Sequence, residues 1–397
     1  MGMRYRTAGE SHGPVLIAVV EGVPAGLPLD PSEIDRDLAR RQGGYGRGGR
    51  MKIEADRVEI LAGVRWGETT GAPVVLAVRN RDWRNWQQGM SPSPEHRGAV
   101  PPVTRVRPGH ADLPGALKHD LDDARNVLER ASARETAARV AAGGVAKALL
   151  AEVGIRVGSF VTSVGSVEAA WEDPFPELHA RAETARIRMP DPHADEAACR
   201  AVDQARAAGD TLGGTFVVFA TGVPVGLGTH VVPEGRLDAR LAAAFLAIPA
   251  IKGFEVGIGF EGARLPGSRV HDEILPGGPG DGRRGGVRRP TNRAGGIEGG
   301  ITNGEEVWVR AAMKPIPTLM RPLRTVDLVT GRPHEASTER SDVCAVAAAS
   351  VVGEAVLAFE LARALVEKFG GDSVADLKGA LESYLDRINR RWVETSS

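Results

Sequence analysis

The sequence predicts an α+β fold, and three observations carry that reading. Short runs rich in β-branched and apolar residues alternate with long helical stretches, without the regular βαβ rhythm of a doubly wound parallel sheet. A strand–turn–helix order occurs twice. No linker divides the 397 residues, so a single domain over residues 1–397 is expected.

Residues 15–20 are apolar and β-branched and precede the turn Gly22-Val23-Pro24-Ala25-Gly26, which predicts a strand. Asp30-Pro31-Ser32-Glu33 then opens a helix to about residue 41, with Pro in the first turn and acids near its positive end. Later, 215–220 is strand-like, Gly222-Val223-Pro224-Val225-Gly226-Leu227 repeats the turn, and 237–248 is Ala/Leu-rich and helical. The recurrence suggests an internal duplication. One long helix is expected over 122–152, because Val127, Leu128, Ala131, Ala138, Val145, Ala146 and Leu149 fall near one apolar face. Gly143-Gly144 inside it costs helix propensity, which predicts close packing of another backbone. Further helices are expected over 195–208 and 342–369, and strands over 157–164, 253–260 and 306–311. The Gly- and Arg-rich stretches 40–50 and 276–300 read as mobile loops.

The 50 Lys and Arg against 51 Asp and Glu give a formal charge of -1, so no global field favours nucleic acid or membrane. Cys199 and Cys344 are too few for a disulfide framework or thiolate metal site, and a reducing cytoplasm fits best. The first residues run into polar sequence without the apolar stretch of a signal peptide. The most apolar region, 343–365, is interrupted by Glu354, Glu360 and Arg363 and reads as a buried helix rather than a membrane span.

Arg40, Arg41, Arg47 and Arg50, spaced by glycines, can fold over an anion, since guanidinium groups bind phosphate and carboxylate through paired hydrogen bonds. The same Gly/Arg loops suit an RNA- or nucleotide-binding protein. Arg130 and Arg134 would share a face of the expected helix, where like charges repel by roughly 0.2–0.5 kcal/mol unless an anion lies between them. Alternatively Glu129 pairs with Arg125, Glu135 pairs with Arg139, and both arginines reach water. His12 and His110 lie in glycine-flanked segments and are candidates for proton transfer, a task suited to the imidazole side chain. Ser11 beside His12 raises a hydrolase reading, although Gly-Glu-Ser-His-Gly lacks the strand-to-helix setting of a nucleophile elbow. Ser341 or Asp342 is placed to cap the helix that follows. Consecutive His271-Asp272-Glu273 seldom converge on one ion, so no metal site is expected.

Taken together, these segments resemble the chorismate synthase family over nearly the whole chain. The resemblance rests on Gly9-Glu10-Ser11-His12-Gly13-Pro14, on Glu129-Arg130-Ala131-Ser132-Ala133-Arg134-Glu135-Thr136 and on Arg340-Ser341-Asp342-Val343-Cys344-Ala345. Between them lie the segment 107–112, the segment 291–300 and Lys314-Pro315-Ile316-Pro317-Thr318 in the expected order. Ala347 stands where many relatives carry Pro, a change in helix stiffness rather than chemistry.

The resemblance implies a β-α-β sandwich with long helices packed between antiparallel sheets, assembled as a homotetramer. It also implies 1,4-anti elimination of phosphate from 5-enolpyruvylshikimate 3-phosphate, with reduced FMN required and no net redox change. Arg41, Arg47, Arg107, Arg134 and Arg340 would hold the substrate anions, with Arg41 and Arg47 assigned alternatively to NADP. Flavin contacts carry over to Arg130, Ala131, Ser132, Pro249, Ala250, Gly299, Lys314, Pro315, Ile316, Pro317, Thr318 and Arg340. His12 would protonate the departing phosphate, His110 would protonate or stabilise the reduced flavin, and Asp342 would assist flavin N5 in removing the ring proton. No extra reductase module is recognisable, which favours flavin reduced from outside, with NADPH as an alternative reductant.

Overall fold

A computed structural model describes residues 2–48, 55–278, 281–338 and 341–392. Strands β1 (Arg4–Ala8), β2 (Val15–Glu21), β3 (Val58–Ala62) and β4 (Val74–Arg79) form an antiparallel sheet in the order β1-β2-β4-β3. On β2, Leu16, Ala18 and Val20 point into the core at two-residue spacing. A second antiparallel sheet contains β5 (Arg156–Val164), β6 (Val167–Glu168), β7 (Gly214–Thr221), β8 (Ile251–Val256) and β9 (Val307–Met313). Its order is β8-β9-β7-β5-β6.

The principal helices are α1 (Pro31–Gln42), α2 (Asp112–His119), α3 (Arg125–Ala131), α4 (Thr136–Glu152), α5 (Phe175–Thr184), α6 (Pro192–Ala207), α7 (Leu237–Leu246), α8 (Val346–Phe369) and α9 (Val374–Asn389). Asp30 caps α1, its carboxylate accepting the Ser32 N–H at 2.9 Å, and Pro31 fills the first turn as expected. Helix α4 touches α1, α8, β2 and β4, whereas α8 touches α4, α7, β5 and β7. Buried residues of both sheets and of α4 and α8 form one continuous apolar cluster.

Gly143 is where the two long helices meet most closely. A Cβ there would lie 2.3 Å from the Ala355 Cβ and 2.5 Å from its Cα, so the expected close packing is present. Gly143→Ala is therefore expected to cost about 1–3 kcal/mol through overpacking, read as a lower denaturation midpoint with an unchanged slope. A neutral effect would show that α4 and α8 can part without loss.

The repeated turns have matching hydrogen bonds. Thr69 Oγ1 donates to the Pro24 carbonyl at 2.6 Å and accepts the Leu27 N–H at 3.0 Å. Thr302 Oγ1 donates to the Pro224 carbonyl at 2.7 Å and accepts the Leu227 N–H at 2.8 Å. The Gly26 and Gly226 N–H groups donate to the Thr69 and Thr302 carbonyls, each at 2.8 Å.

Several expected elements differ. The helix expected over 122–152 breaks at Ser132, whose ψ of 141° is extended and whose hydroxyl accepts the Arg134 N–H as the cap of the 3-10 turn Ala133–Glu135. Arg130 and Arg134 consequently do not share a helical face. The apolar carboxy-terminal helix begins at Val346 rather than 342, and its first turn has no side-chain cap, so neither Ser341 nor Asp342 serves that purpose. The strand expected over 253–260 ends at Val256 and yields to the helical turn Gly259–Gly262. The stretch 40–50 begins inside α1, and 276–300 contains the 3-10 turn Asp281–Arg284 and the strand Ile297–Glu298. Among the described residues, no helix is long and apolar enough to cross a membrane.

Candidate active site

One cavity of about 530 Å³ collects side chains from distant parts of the chain. Its wall includes His12 from the turn between β1 and β2, Arg41 from the end of α1, Arg47 and Gly48 from the following loop, and Arg134 from the break after α3. Arg107 and His110 precede α2, Lys314, Ile316, Pro317 and Thr318 follow β9, and Asp342 precedes α8. The apolar part of the wall comes from Leu128, Ala131, Ile248, Met313, Ala348, Ala349 and Val352.

The break at Ser132 positions Arg134, because a continuous helix would carry its side chain elsewhere. Arg134 is buried, its Nε donating to Asn80 Oδ1 at 2.8 Å and its Nη1 to Asp56 Oδ2 at 2.6 Å. Arg41 shares Asp56 at 3.3 Å and donates from Nε to Thr136 Oγ1 at 2.9 Å. Burial, joined by the charges of Arg134 and Arg47 and opposed by Asp56, pushes Arg41 down to about 9. Arg41 and Arg134 both draw on Asp56, and such a pair of adjoining guanidiniums suits an incoming anion. The expectation that Arg134 simply reaches water is thus corrected, while Glu129 does meet Arg125 and Glu135 does meet Arg139.

Asp342 closes the opposite side of the Arg47 loop. Its Oδ1 accepts the Gly48 N–H at 2.6 Å, its Oδ2 lies 2.8 Å from Arg47 Nη1, and the Val343 N–H donates to the Gly46 carbonyl. Glycine at 46 is required, since φ is 90° and a Cβ would press on Val202 at 2.9 Å.

Each histidine is held by a buried carboxylate. His12 Nδ1 lies 2.9 Å and 3.0 Å from the two Glu129 oxygens, and the His12 backbone N–H donates to Glu129 Oε2 at 2.9 Å. The indole of Trp86 stacks on the imidazole at 4.2 Å. His110 Nδ1 lies 2.5 Å from Asp112 Oδ1, while Arg107 Nε donates to Asp112 Oδ2 at 2.8 Å. Burial opposes ionisation of Asp112, yet the hydrogen bonds from His110 and Arg107 outweigh it and hold the carboxyl well below its ordinary value. Lys314 donates to the Gly109 carbonyl, and burial, then the charge of Lys252, lowers its ammonium from the ordinary value. Ala250 has a φ of 68°, unusual for alanine, and its carbonyl accepts the Lys314 N–H at 2.9 Å.

The cavity therefore brings together His12, His110, Asp342, Arg41, Arg47, Arg107, Arg134, Ala131, Ser132, Pro249, Ala250, Lys314, Ile316, Pro317 and Thr318. Arg130, Gly299 and Pro315 do not line it. Arg130 instead donates to the carbonyls of Thr7 and Gly9, and Gly299 sits between the strands Ile297–Glu298 and Ile301–Thr302. Arg340 and Arg50 lie outside the described residues. Arg40 turns away from the cavity toward Glu354 and Glu183, which removes it from the expected clamp. Sequence reasoning missed Asp56, Asn80 and Trp86, each in a segment without a recognisable motif, and the contacts of Glu129 with His12 and of Asp112 with His110.

With this geometry established, comparison with known proteins assigns the family. The chorismate synthase family profile matches residues 3–366. The chain belongs to the chorismate synthase family. A chorismate synthase of Geobacter sulfurreducens is 57% identical over 392 residues, covering 97% of this chain and 99% of the relative. One of Desulforudis audaxviator is 57% identical over 387 residues, covering 97% and 98%. The crystal structure of a chorismate synthase aligns with a TM-score of 0.79 at 43% identity, covering 98% of this chain and 99% of that one. Chorismate synthases are lyases of the shikimate pathway with a requirement for reduced flavin, and the alternative of an RNA- or nucleotide-binding protein finds no support. The chain is a mixed helix and sheet protein, similar to that crystal structure.

Proposed function

We propose that the cavity takes 5-enolpyruvylshikimate 3-phosphate together with reduced FMN and eliminates phosphate to give chorismate. The observation that carries this reading is the convergence of Arg41, Arg47, Arg107, Arg134 and Lys314 on one cavity with His12, His110 and Asp342. A substrate with a phosphate and two carboxylates matches this cluster of cationic side chains in charge and in its capacity for paired hydrogen bonds. Arg41 is only 3% exposed and shares Asp56 with Arg134, which supports substrate rather than NADP as its ligand.

The residues present also suit a flavin. The apolar wall from Leu128, Ala131, Ile248, Ala348 and Val352 suits a planar ring, and Ser132, Lys314 and Thr318 offer polar contacts at its edge. When bound, reduced flavin supplies the transient electron donation that lets the C–O bond to phosphate break, and it recovers the electron afterwards. His12 protonates the departing phosphate, and Asp342 receives the ring proton that is lost. His110, tied to Asp112, would stabilise the reduced flavin, and Arg107, tied to the same carboxylate, faces the substrate anions; an outside reductant such as NADPH would serve only to bring the flavin to its reduced form beforehand. The Arg47 loop, latched by Asp342, keeps water from the reacting atoms.

The same reading extends to the architecture. A β-α-β sandwich forming one domain is supported by the continuous core and by α4, which touches strands of both sheets, while α8 packs on the second. Internal duplication is supported by the matched Thr69 and Thr302 turns. A cytoplasmic homotetramer is supported by two free buried cysteines and by exposed apolar residues such as Val231 and Phe260.

The decisive experiment adds the substrate anaerobically to the enzyme and dithionite-reduced FMN, then measures chorismate by absorbance and released phosphate in parallel. Equal amounts of both products, with none when the flavin is oxidised, are expected. Absence of chorismate with flavin fully reduced would overturn the proposal.

A further inference from the structure

We infer that Glu129 is a positioning residue for the reaction, fixing both the tautomer and the ring plane of His12 so that proton exchange with the departing group runs through Nε2. The inference rests on the proposed role of His12 and deepens it.

Glu129 is 1% exposed, and its carboxylate has two oxygens facing donors on the same residue. The His12 backbone N–H takes Oε2 at 2.9 Å, and the imidazole Nδ1 spans both oxygens at 2.9 Å and 3.0 Å. An ionised carboxylate only accepts, so the proton on Nδ1 stays there, and the nitrogen that changes protonation is Nε2. The backbone reinforces the arrangement, because the Ser11 N–H donates to the Glu129 carbonyl at 3.0 Å. Main chain and side chain of one residue thereby seat the whole Ser11-His12 turn on α3. Trp86 stacks on the ring face with an interplanar angle of 28°, and its indole N–H donates to Asp82 Oδ2 at 3.3 Å. That contact removes the remaining rotational freedom about the ring axis. Among the described residues, Arg125 Nη1 is 3.6 Å from Glu129 Oε1, and Asp82 Oδ2 is 4.0 Å from His12 Nε2.

The geometry makes a specific demand on Glu129→Gln. An amide has one acceptor where the carboxylate has two. If its oxygen takes the place of Oε2 and keeps the backbone N–H, its NH₂ faces Nδ1. A donor in place of Oε1, 2.9 Å from Nδ1, opposes the Nδ1 proton and leaves it only the oxygen already taken by the backbone N–H, which shifts the neutral ring toward carrying its proton on Nε2. Arg125 on the far side disfavours the NH₂ at that position, so the variant is frustrated as well as wrongly protonated. The carboxylate charge that accompanies the imidazolium is also lost.

The test combines ¹⁵N shifts of labelled His12 with steady-state kinetics of Glu129→Gln, Glu129→Asp and His12→Ala, using the holoenzyme with chemically reduced FMN. Glu129→Gln is expected to move the ring proton to Nε2 and lower kcat about 100-fold, at the low end of what a general acid contributes, with KM for substrate changed less than about threefold. Glu129→Asp, which keeps two acceptors, should recover part of kcat. A Glu129→Gln enzyme with wild-type kcat beside an inactive His12→Ala would overturn this inference and leave the role of His12 standing. Wild-type kcat in both would overturn both. Loss of kcat in Glu129→Gln with the ring proton still on Nδ1, or with flavin and substrate binding lost in proportion, would also overturn it, since a structural defect would then suffice.

Discussion

Glu354→Ala is expected to destabilise the protein by about 3–5 kcal/mol, the range found when one partner of a buried ion pair is removed. Glu354 is fully buried near the middle of α8 and accepts from Arg40 at 2.7 Å and 2.8 Å, from Lys147 at 2.7 Å and from Ser159 Oγ at 2.6 Å. Arg188 adds a longer contact at 3.5 Å, and Asp37 and Glu183 share the same cations. Without Glu354 the three cationic side chains keep Asp37 and Glu183 but lose the carboxylate at their centre, and a methyl group cannot replace it. Chemical denaturation reads the effect directly, and a loss under about 1 kcal/mol would show that water enters and solvates the cations.

The same network fixes the direction of a pH effect. Burial would raise Glu354, but Lys147, Arg40 and Arg188 hold it well below the ordinary 4.5. Burial is likewise outweighed at Glu183, where hydrogen bonds from Arg40 and the charge of Arg188 lower the carboxyl to about 2. Groups depressed in the folded state contribute stability above their unfolded pKa and lose it as pH falls through the folded value. Stability should therefore decline progressively below about pH 4.5 and toward pH 2, and Glu354→Gln should flatten that decline.

Glu354 also shows where sequence reasoning stops. The interruption of an apolar run by Glu354 argued against a membrane span, but nothing in spacing revealed that Arg40, 314 residues earlier, would meet it. Reading Arg40 with Arg41 as one clamp failed for that reason. Adjacent residues on α1 point in different directions, one toward α8 and one toward the cavity. Local patterns did announce the helix start at Asp30-Pro31, the close approach at Gly143 and the repeated Gly-Val-Pro turn, because each is decided within a few residues. The helix break at Ser132 was legible only in part. Ser132 is a good cap, yet the apolar periodicity continues across it, and tertiary demand for Arg134 beside Asp56 decides the outcome. His12, His110 and Asp342 could be named from motifs, whereas Asp56, Asn80 and Trp86 act through pairings that only the folded chain creates.

Asp342→Asn is expected to lower kcat by about 10²–10⁴-fold if its carboxylate takes the ring proton, the contribution usual for a positioned base. The structure gives Asp342 a second task, however, since Oδ1 holds the Gly48 N–H and Oδ2 holds Arg47. Asparagine can keep the first contact through its oxygen but turns an NH₂ toward the guanidinium, so a loss of activity alone would not distinguish base from latch. The two tasks separate kinetically. A latch failure weakens anion binding, raises KM and should be reproduced by Arg47→Ala, whereas loss of the base slows one bond-breaking step at saturating substrate. Substrate deuterated at the carbon that loses its proton should then show a larger isotope effect on kcat in Asp342→Asn than in the parent enzyme. The double variant supplies the remaining arm. If Asp342 acts only through Arg47, adding Asp342→Asn to Arg47→Ala changes nothing further, and the coupling energy equals the whole effect of the single substitution. If Asp342 also accepts the proton, the double variant falls below Arg47→Ala by most of the Asp342→Asn loss. An unchanged isotope effect together with complete coupling would remove Asp342 from the proton path and leave it as the clasp of the Arg47 loop.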